Sequence, residues 1–135
     1  MSMKESNLTG PVTHGGSNSS LNREFGSHFI IELINCSPAK LRKVKDVKQI
    51  MGEVIQESKT TVVKSSFHQF QPEGVTGMIL IEESHFTIHT WPEESYAAAD
   101  IFTCGHEMDP YIAMEVMKER FEAKEIRYQI IKRGF

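Results

Sequence analysis

Between residues 60 and 103 the chain strings four short β-type segments together with no helical stretch between them, and this run dictates the architecture. The segments are 60–70 (TTVVKSSFHQF), 75–82 (VTGMILIE), 85–91 (HFTIHTW) and 97–103 (AAADIFT). Pro72 with Gly74, then Pro92, then Gly105 punctuate them as turn or stop signals. Strands that follow one another this closely are joined by hairpins and pair antiparallel. Further strands are expected at 28–34 (HFIIELI) and 126–132 (IRYQIIK). Only two stretches carry helical periodicity. Ser37-Pro38 reads as the cap and first position of a helix of roughly five turns, with Leu41, Val44, Val47, Met51, Val54 and Ile55 on its apolar face. Asp109-Pro110 caps a second, with Tyr111, Met114, Met117 and Phe121 on one face. The order β-α-β-β-β-β-α-β predicts an α+β fold: a two-layer α/β sandwich, one mainly antiparallel sheet with both helices on one face. The other face of such a sheet needs a cover, and a second copy of the chain is the simplest one.

The 135 residues suit a single domain, expected over 23–135. Residues 1–22 are rich in Ser, Asn and Gly, bury too little to offset their ordering entropy, and read as a flexible tail in which His14 has no role. A net charge of -3 leaves no basic footprint for nucleic acid and no polybasic signal for a membrane. No run of about 18 apolar residues exists to span a bilayer. Two cysteines, Cys36 and Cys104, without an apolar leader predict a reducing, cytoplasmic setting.

The strand HFTIHTW carries the first chemical hint. Alternation puts His85, Thr87, His89 and Trp91 on one face and Phe86 and Ile88 on the other. Two histidines, a threonine and a tryptophan make neither an ordinary core nor an ordinary solvated face, but a polar site beside an aromatic wall would contain them all. Ser84, just before this strand, is on local pattern alone a turn residue. His85 and His89 by themselves raise the question of a metal, but no third ligand falls at a recognisable spacing, and no metal is expected.

A longer string alters the reading of Ser84. Glu83-Ser84-His85, Ile88-His89-Thr90-Trp91-Pro92-Glu93, Tyr96-Ala97-Ala98 and Phe102-Thr103-Cys104-Gly105 stand in order, preceded by Gly26-Ser27-His28, Phe67-His68-Gln69-Phe70, Pro72 and Gly74-Val75-Thr76-Gly77. His89 lies five residues after Ser84 and Cys104 twenty after it. Together these resemble the signature of the prokaryotic S-adenosylmethionine decarboxylases, pyruvoyl-dependent enzymes of the short bacterial and archaeal type, from about residue 25 to residue 134.

The resemblance implies a proenzyme that cuts itself between Glu83 and Ser84, giving a β chain of residues 1–83 and an α chain of residues 84–135 that begins with a pyruvoyl group made from Ser84. That carbonyl is the cofactor: it forms a Schiff base with the substrate amine and serves as the electron sink when carbon dioxide leaves. By the same resemblance His89 is the acid–base group of processing, imidazole being a side chain that can both give and take a proton. Thr76 takes the place of a hydroxyl residue that assists processing, and Cys104 is the proton donor in decarboxylation. Phe70 and Trp91 match positions near the nucleoside, where aromatic faces suit a purine and a sulfonium, and Glu93 matches the carboxylate for the ribose diol. S-adenosylmethionine is then the substrate, spermidine synthesis the destination of the product, and a dimer of αβ protomers the expected assembly.

After Trp91-Pro92-Glu93 the family commonly has an aromatic residue or histidine and then glycine, whereas Glu94 and Ser95 stand here. The missing glycine removes a residue at ease with positive φ, and the added carboxylate keeps open an arginine or ornithine decarboxylase on the same scaffold. A processing-deficient regulatory paralogue is a third reading, opposed by the presence of Ser84, His89 and Cys104.

Overall fold

The computed structural model of the protein describes residues 12–14 (backbone only), 23–82, 84–104 and 108–135. Its strands are β1 (Val12–His14), β2 (Glu24–Ile34), β3 (Val62–Gln69), β4 (Val75–Ile81), β5 (Ser84–Trp91), β6 (Tyr96–Thr103) and β7 (Glu125–Gly134). Two helices, α1 (Val44–Glu57) and α2 (Pro110–Arg120), complete the framework. The strands form one sheet in the order β1-β7-β2-β6-β5-β4-β3, antiparallel throughout except for the short β1, which runs parallel to β7. The α+β sandwich predicted from the strand run is thus the fold adopted. Within the stretch expected to be a flexible tail, Val12–His14 pair along β7; the rest of residues 1–22 lie outside the described residues.

Alternation decides which face is covered. Phe29, Ile31 and Leu33 on β2, Phe86 and Ile88 on β5, and Ala97, Ala99 and Ile101 on β6 are buried toward the helices. From α1 come Val47, Met51, Val54 and Ile55, and from α2 Ala113, Met114 and Met117. Arg120 ties the helices across their exposed rim, reaching Glu53 at 2.5 Å and Glu57 at 3.1 Å. The opposite face is open: Met78 is 60% and Leu80 52% exposed.

Asp109 caps α2 as its spacing predicts, its carboxylate accepting from the backbone N–H of Tyr111 and Ile112. The start of α1 differs from expectation. Ser37-Pro38 open only a 3₁₀ turn over Pro38–Lys40, and α1 begins at Val44, so it has about four turns rather than five. The reason is tertiary. Gln69, at the end of β3, accepts from Val44 N at 2.8 Å through Oε1 and donates through Nε2 to the carbonyls of Arg42 and Gly74, both at 2.9 Å. One side chain therefore closes the first turn of α1 and fixes the β3–β4 connection, in which Gly74 takes φ 109°.

Candidate active site

β5 presents what its alternation promised. Phe86, Ile88 and Thr90 turn inward, while His85, Thr87, His89 and Trp91 lie on the open face. Thr90 Oγ1 accepts from Val75 N at 2.9 Å and donates to Leu41 O at 2.8 Å, locking the end of β5 to β4 and to the loop before α1. That anchor fixes the register in which Thr76 of β4 faces His89 of β5. Thr76 Oγ1 and His89 Nδ1 hydrogen-bond at 3.0 Å.

Around this pair opens a cavity of about 390 Å³ whose lining includes Phe70, Gly74, Thr76, His89, Trp91 and Glu93. Phe70 and Trp91 are 47% and 41% exposed, high values for large aromatic side chains. Trp91 is backed by Tyr96, whose ring stacks on it at 5.4 Å, and the Tyr96 hydroxyl donates to Glu32 of β2. Burial first, then the hydrogen bond to Glu32 and its negative charge, pushes the Tyr96 phenol up to about 12, so it stays protonated and holds its place as donor. Glu93 sits in the 3₁₀ turn Pro92–Glu94, which Ser95 ends in the left-handed conformation at φ 52°. The backbone position where the family commonly has glycine thus does have positive φ, and serine occupies it. Glu94 is exposed and is not among the residues lining the cavity.

Ser84 and Cys104 stand at the other end of the strands. Ser84 opens β5 directly opposite Thr103 of β6, and Cys104 follows Thr103. Ser84 is half-buried and Cys104 exposed. Glu83 lies outside the described residues, so the expected cleavage bond is visible from its serine side only. Thr103 Oγ1 is buried and has no hydrogen-bond partner among the described residues. Five residues of extended strand separate Ser84 from His89, roughly 17 Å at the rise of a β-strand. One copy of the chain therefore groups Phe70, Thr76, His89, Trp91 and Glu93 at one end of β5, and Ser84 with Cys104 at the other.

Several positioning residues escaped the sequence reading. Gln69, Tyr96 and Thr90 appeared only as members of the motif string, and Glu32 and Asp100 not at all. Their partners lie on other strands, so no local spacing advertises them.

The comparisons with known proteins fit this arrangement. The model of the S-adenosylmethionine decarboxylase family matches residues 27–134. An S-adenosylmethionine decarboxylase proenzyme from Thermodesulfovibrio yellowstonii is 43% identical over 109 residues, covering 81% of each chain. The proenzyme of that name from Thermotoga maritima is 43% identical over 112 residues, 83% of this chain and 86% of the other. Among solved structures, the adenosylmethionine decarboxylase from Aquifex aeolicus superposes with a TM-score of 0.78 at 33% identity, covering 84% of this chain and 93% of that one. A family match over residues 27–134, joined to a shared fold and a cavity built from the motif residues, places this protein in the S-adenosylmethionine decarboxylase family.

Proposed function

We propose that the protein is a proenzyme that cuts itself between Glu83 and Ser84 and then decarboxylates S-adenosylmethionine, releasing carbon dioxide and the aminopropyl donor for spermidine synthesis. The observation that carries this reading is the cavity in which two exposed aromatic side chains, Phe70 and Trp91, and the Glu93 carboxylate surround the Thr76–His89 hydrogen bond. Flat aromatic faces suit the adenine and the sulfonium, and Glu93 suits the ribose diol.

In self-processing Ser84 Oγ attacks the Glu83 carbonyl and converts the amide to an ester. A base then takes the Ser84 α-proton, the ester is eliminated, and hydrolysis releases ammonia. His89, oriented by Thr76, is the acid–base group. The buried hydroxyl of Thr103 beside Ser84, without a partner among the described residues, fits a place where a new polar group forms. The pyruvoyl group so produced supplies a carbonyl that holds the substrate amine and takes up the electron pair left by carbon dioxide. Cys104, next in the chain after Thr103, returns a proton to the α-carbon.

The distance between Ser84 and His89 within one chain asks for two copies. Packed open face to open face, a dimer brings the Thr76–His89 cavity of one copy toward Ser84 and Cys104 of its partner and covers Met78, Leu80, Phe70 and Trp91. Among the described residues no helix is long and apolar enough to cross a membrane, and we place the enzyme in the cytoplasm. Glu94, the feature that kept an arginine or ornithine substrate open, does not line the cavity, whereas Phe70, Trp91 and Glu93 do, which favours the nucleoside.

Denaturing mass spectrometry and carbon dioxide release test the reading together. Two fragments are expected, the smaller starting at position 84 and lighter than a serine terminus by the mass of ammonia, with release from S-adenosylmethionine and not from arginine or ornithine. A stable uncut chain of 15.4 kDa overturns self-processing, and release from arginine or ornithine alone overturns the substrate.

A further inference from the structure

We propose that His28, His85 and Asp100 form a binding site for a divalent transition-metal ion of the zinc class, on the open face of the sheet and separate from the Thr76–His89 cavity. The three come from adjacent strands β2, β5 and β6, brought together by register alone. His28 and His85 are both partners of Phe102, one on each side of β6, and Asp100 lies two residues before Phe102 on the same face. One donor atom from each lies within 4.8 Å of the others. Both histidines aim Nε2 at the same oxygen, Asp100 Oδ2, at 2.5 Å for His28 and 3.9 Å for His85.

The surroundings hold this arrangement in place. Thr87, directly opposite Asp100, donates its hydroxyl to Oδ1 and so fixes the carboxylate with Oδ2 toward the imidazoles. The Phe102 ring lies 5.7 Å from that of His28 and 5.9 Å from that of His85, limiting their rotation. The side chains are half-buried, 20% exposed for His28, 22% for Asp100 and 37% for His85. A single cation between the three atoms would accept a lone pair from each, an arrangement that one hydrogen bond between His28 and Asp100 leaves incomplete at His85. Bond lengths to zinc of about 2.0–2.2 Å require His28 Nε2 and Asp100 Oδ2 to part from their hydrogen-bond distance and His85 to draw in, movements that side-chain rotation supplies while the paired strands stay in place.

Two imidazoles and one carboxylate select the class of ion. Nitrogen donors suit Zn²⁺, Co²⁺ or Ni²⁺, whereas Mg²⁺ and Ca²⁺ favour oxygen ligands. Three protein ligands leave a fourth position for water or another donor. The ion would tie β2, β5 and β6 together at His85, the residue immediately after Ser84. The site does not depend on which substrate the enzyme takes.

The test uses the full-length protein stripped with chelator and titrated with Co²⁺ and then Zn²⁺. We expect a visible d–d absorption band with Co²⁺ at one equivalent per chain, displaced by Zn²⁺. Asp100→Asn and His28→Gln should each weaken binding at least about tenfold, and Thr87→Val by about 10–100-fold as an outer-shell change. Imidazole ¹⁵N resonances of the wild-type protein give a readout that no misfolded variant can confuse: Zn²⁺ should move those of His28 and His85 and leave His68 in place. Absence of the band, unmoved His28 and His85 resonances, or equal Co²⁺ affinity in the folded His28→Gln/His85→Gln double variant overturns the site and leaves an ordinary His28–Asp100 hydrogen bond.

Discussion

Thr76 and His89 share one hydrogen bond, and the two ends of that bond should fail differently. Replacing His89 by Ala removes the proposed acid–base group and is expected to slow self-cleavage by about 100-fold or more. Thr76→Val removes only the hydroxyl that orients the ring and should slow cleavage less, while Thr76→Ser should retain it; gel densitometry of fragment appearance measures all three. Cys36 gives a prediction of the opposite kind, about stability rather than chemistry. Burial pushes its thiol from 9.0 up to about 11. The unfolded chain ionises this group first, so the folded state is favoured in full below about pH 9 and loses stability as pH climbs through about 11, by on the order of 2 kcal/mol. Urea unfolding of the wild type and Cys36→Val across that range checks it: the variant should lack this part of the alkaline decline. Cys104, exposed at the end of β6, should react with a thiol reagent well before Cys36 does.

The turns and caps between elements carry the next level of control. Ser95 holds a left-handed conformation that disfavours a Cβ, so Ser95→Gly should stabilise the fold by about 0.5–1 kcal/mol after the added freedom of the unfolded chain is counted. Gln69→Ala strips the cap from α1 and the contacts to the carbonyls of Arg42 before α1 and Gly74 in the β3–β4 connection, and should cost about 1–2 kcal/mol in urea unfolding. These two positions also show what could be read from sequence. The four strands expected from hairpin spacing, and the two at 28–34 and 126–132, form within a few residues of where the pattern put them, and in all but the exposed β3 burial on one face enforces a period of two. The missing glycine at Ser95 was visible as a departure from the family string. The start of α1 was misplaced because Ser37-Pro38 has the chemistry of a cap, while the actual cap comes from Gln69, far away in sequence. The grouping of His28, His85 and Asp100 was invisible for the same reason: strand register is a property of the assembled sheet.

At the scale of the molecule, β5 acts as a ruler. The five-residue step along it keeps Ser84 and His89 of one chain apart, so the proposed site composed from two copies should show complementation. Coexpressing Ser84→Ala with His89→Ala should restore cleavage of the His89→Ala chain, because the mixed dimer holds one site with both residues intact; each variant expressed alone should remain uncut or nearly so. Loss of complementation with an intact dimer would place the whole site within one chain. The strand order β1-β7-β2-β6-β5-β4-β3 has a consequence beyond catalysis. A cut after residue 83 assigns β1, β2, β3 and β4 to one fragment and β5, β6 and β7 to the other, and the sheet interleaves them: β7 lies between β1 and β2, and β2 between β7 and β6. Neither fragment owns a contiguous sheet. The proposed maturation would therefore convert folding from a one-chain event, independent of dilution, into the meeting of two dissimilar pieces, so an enzyme assembled before such a cut would be hard to rebuild after it.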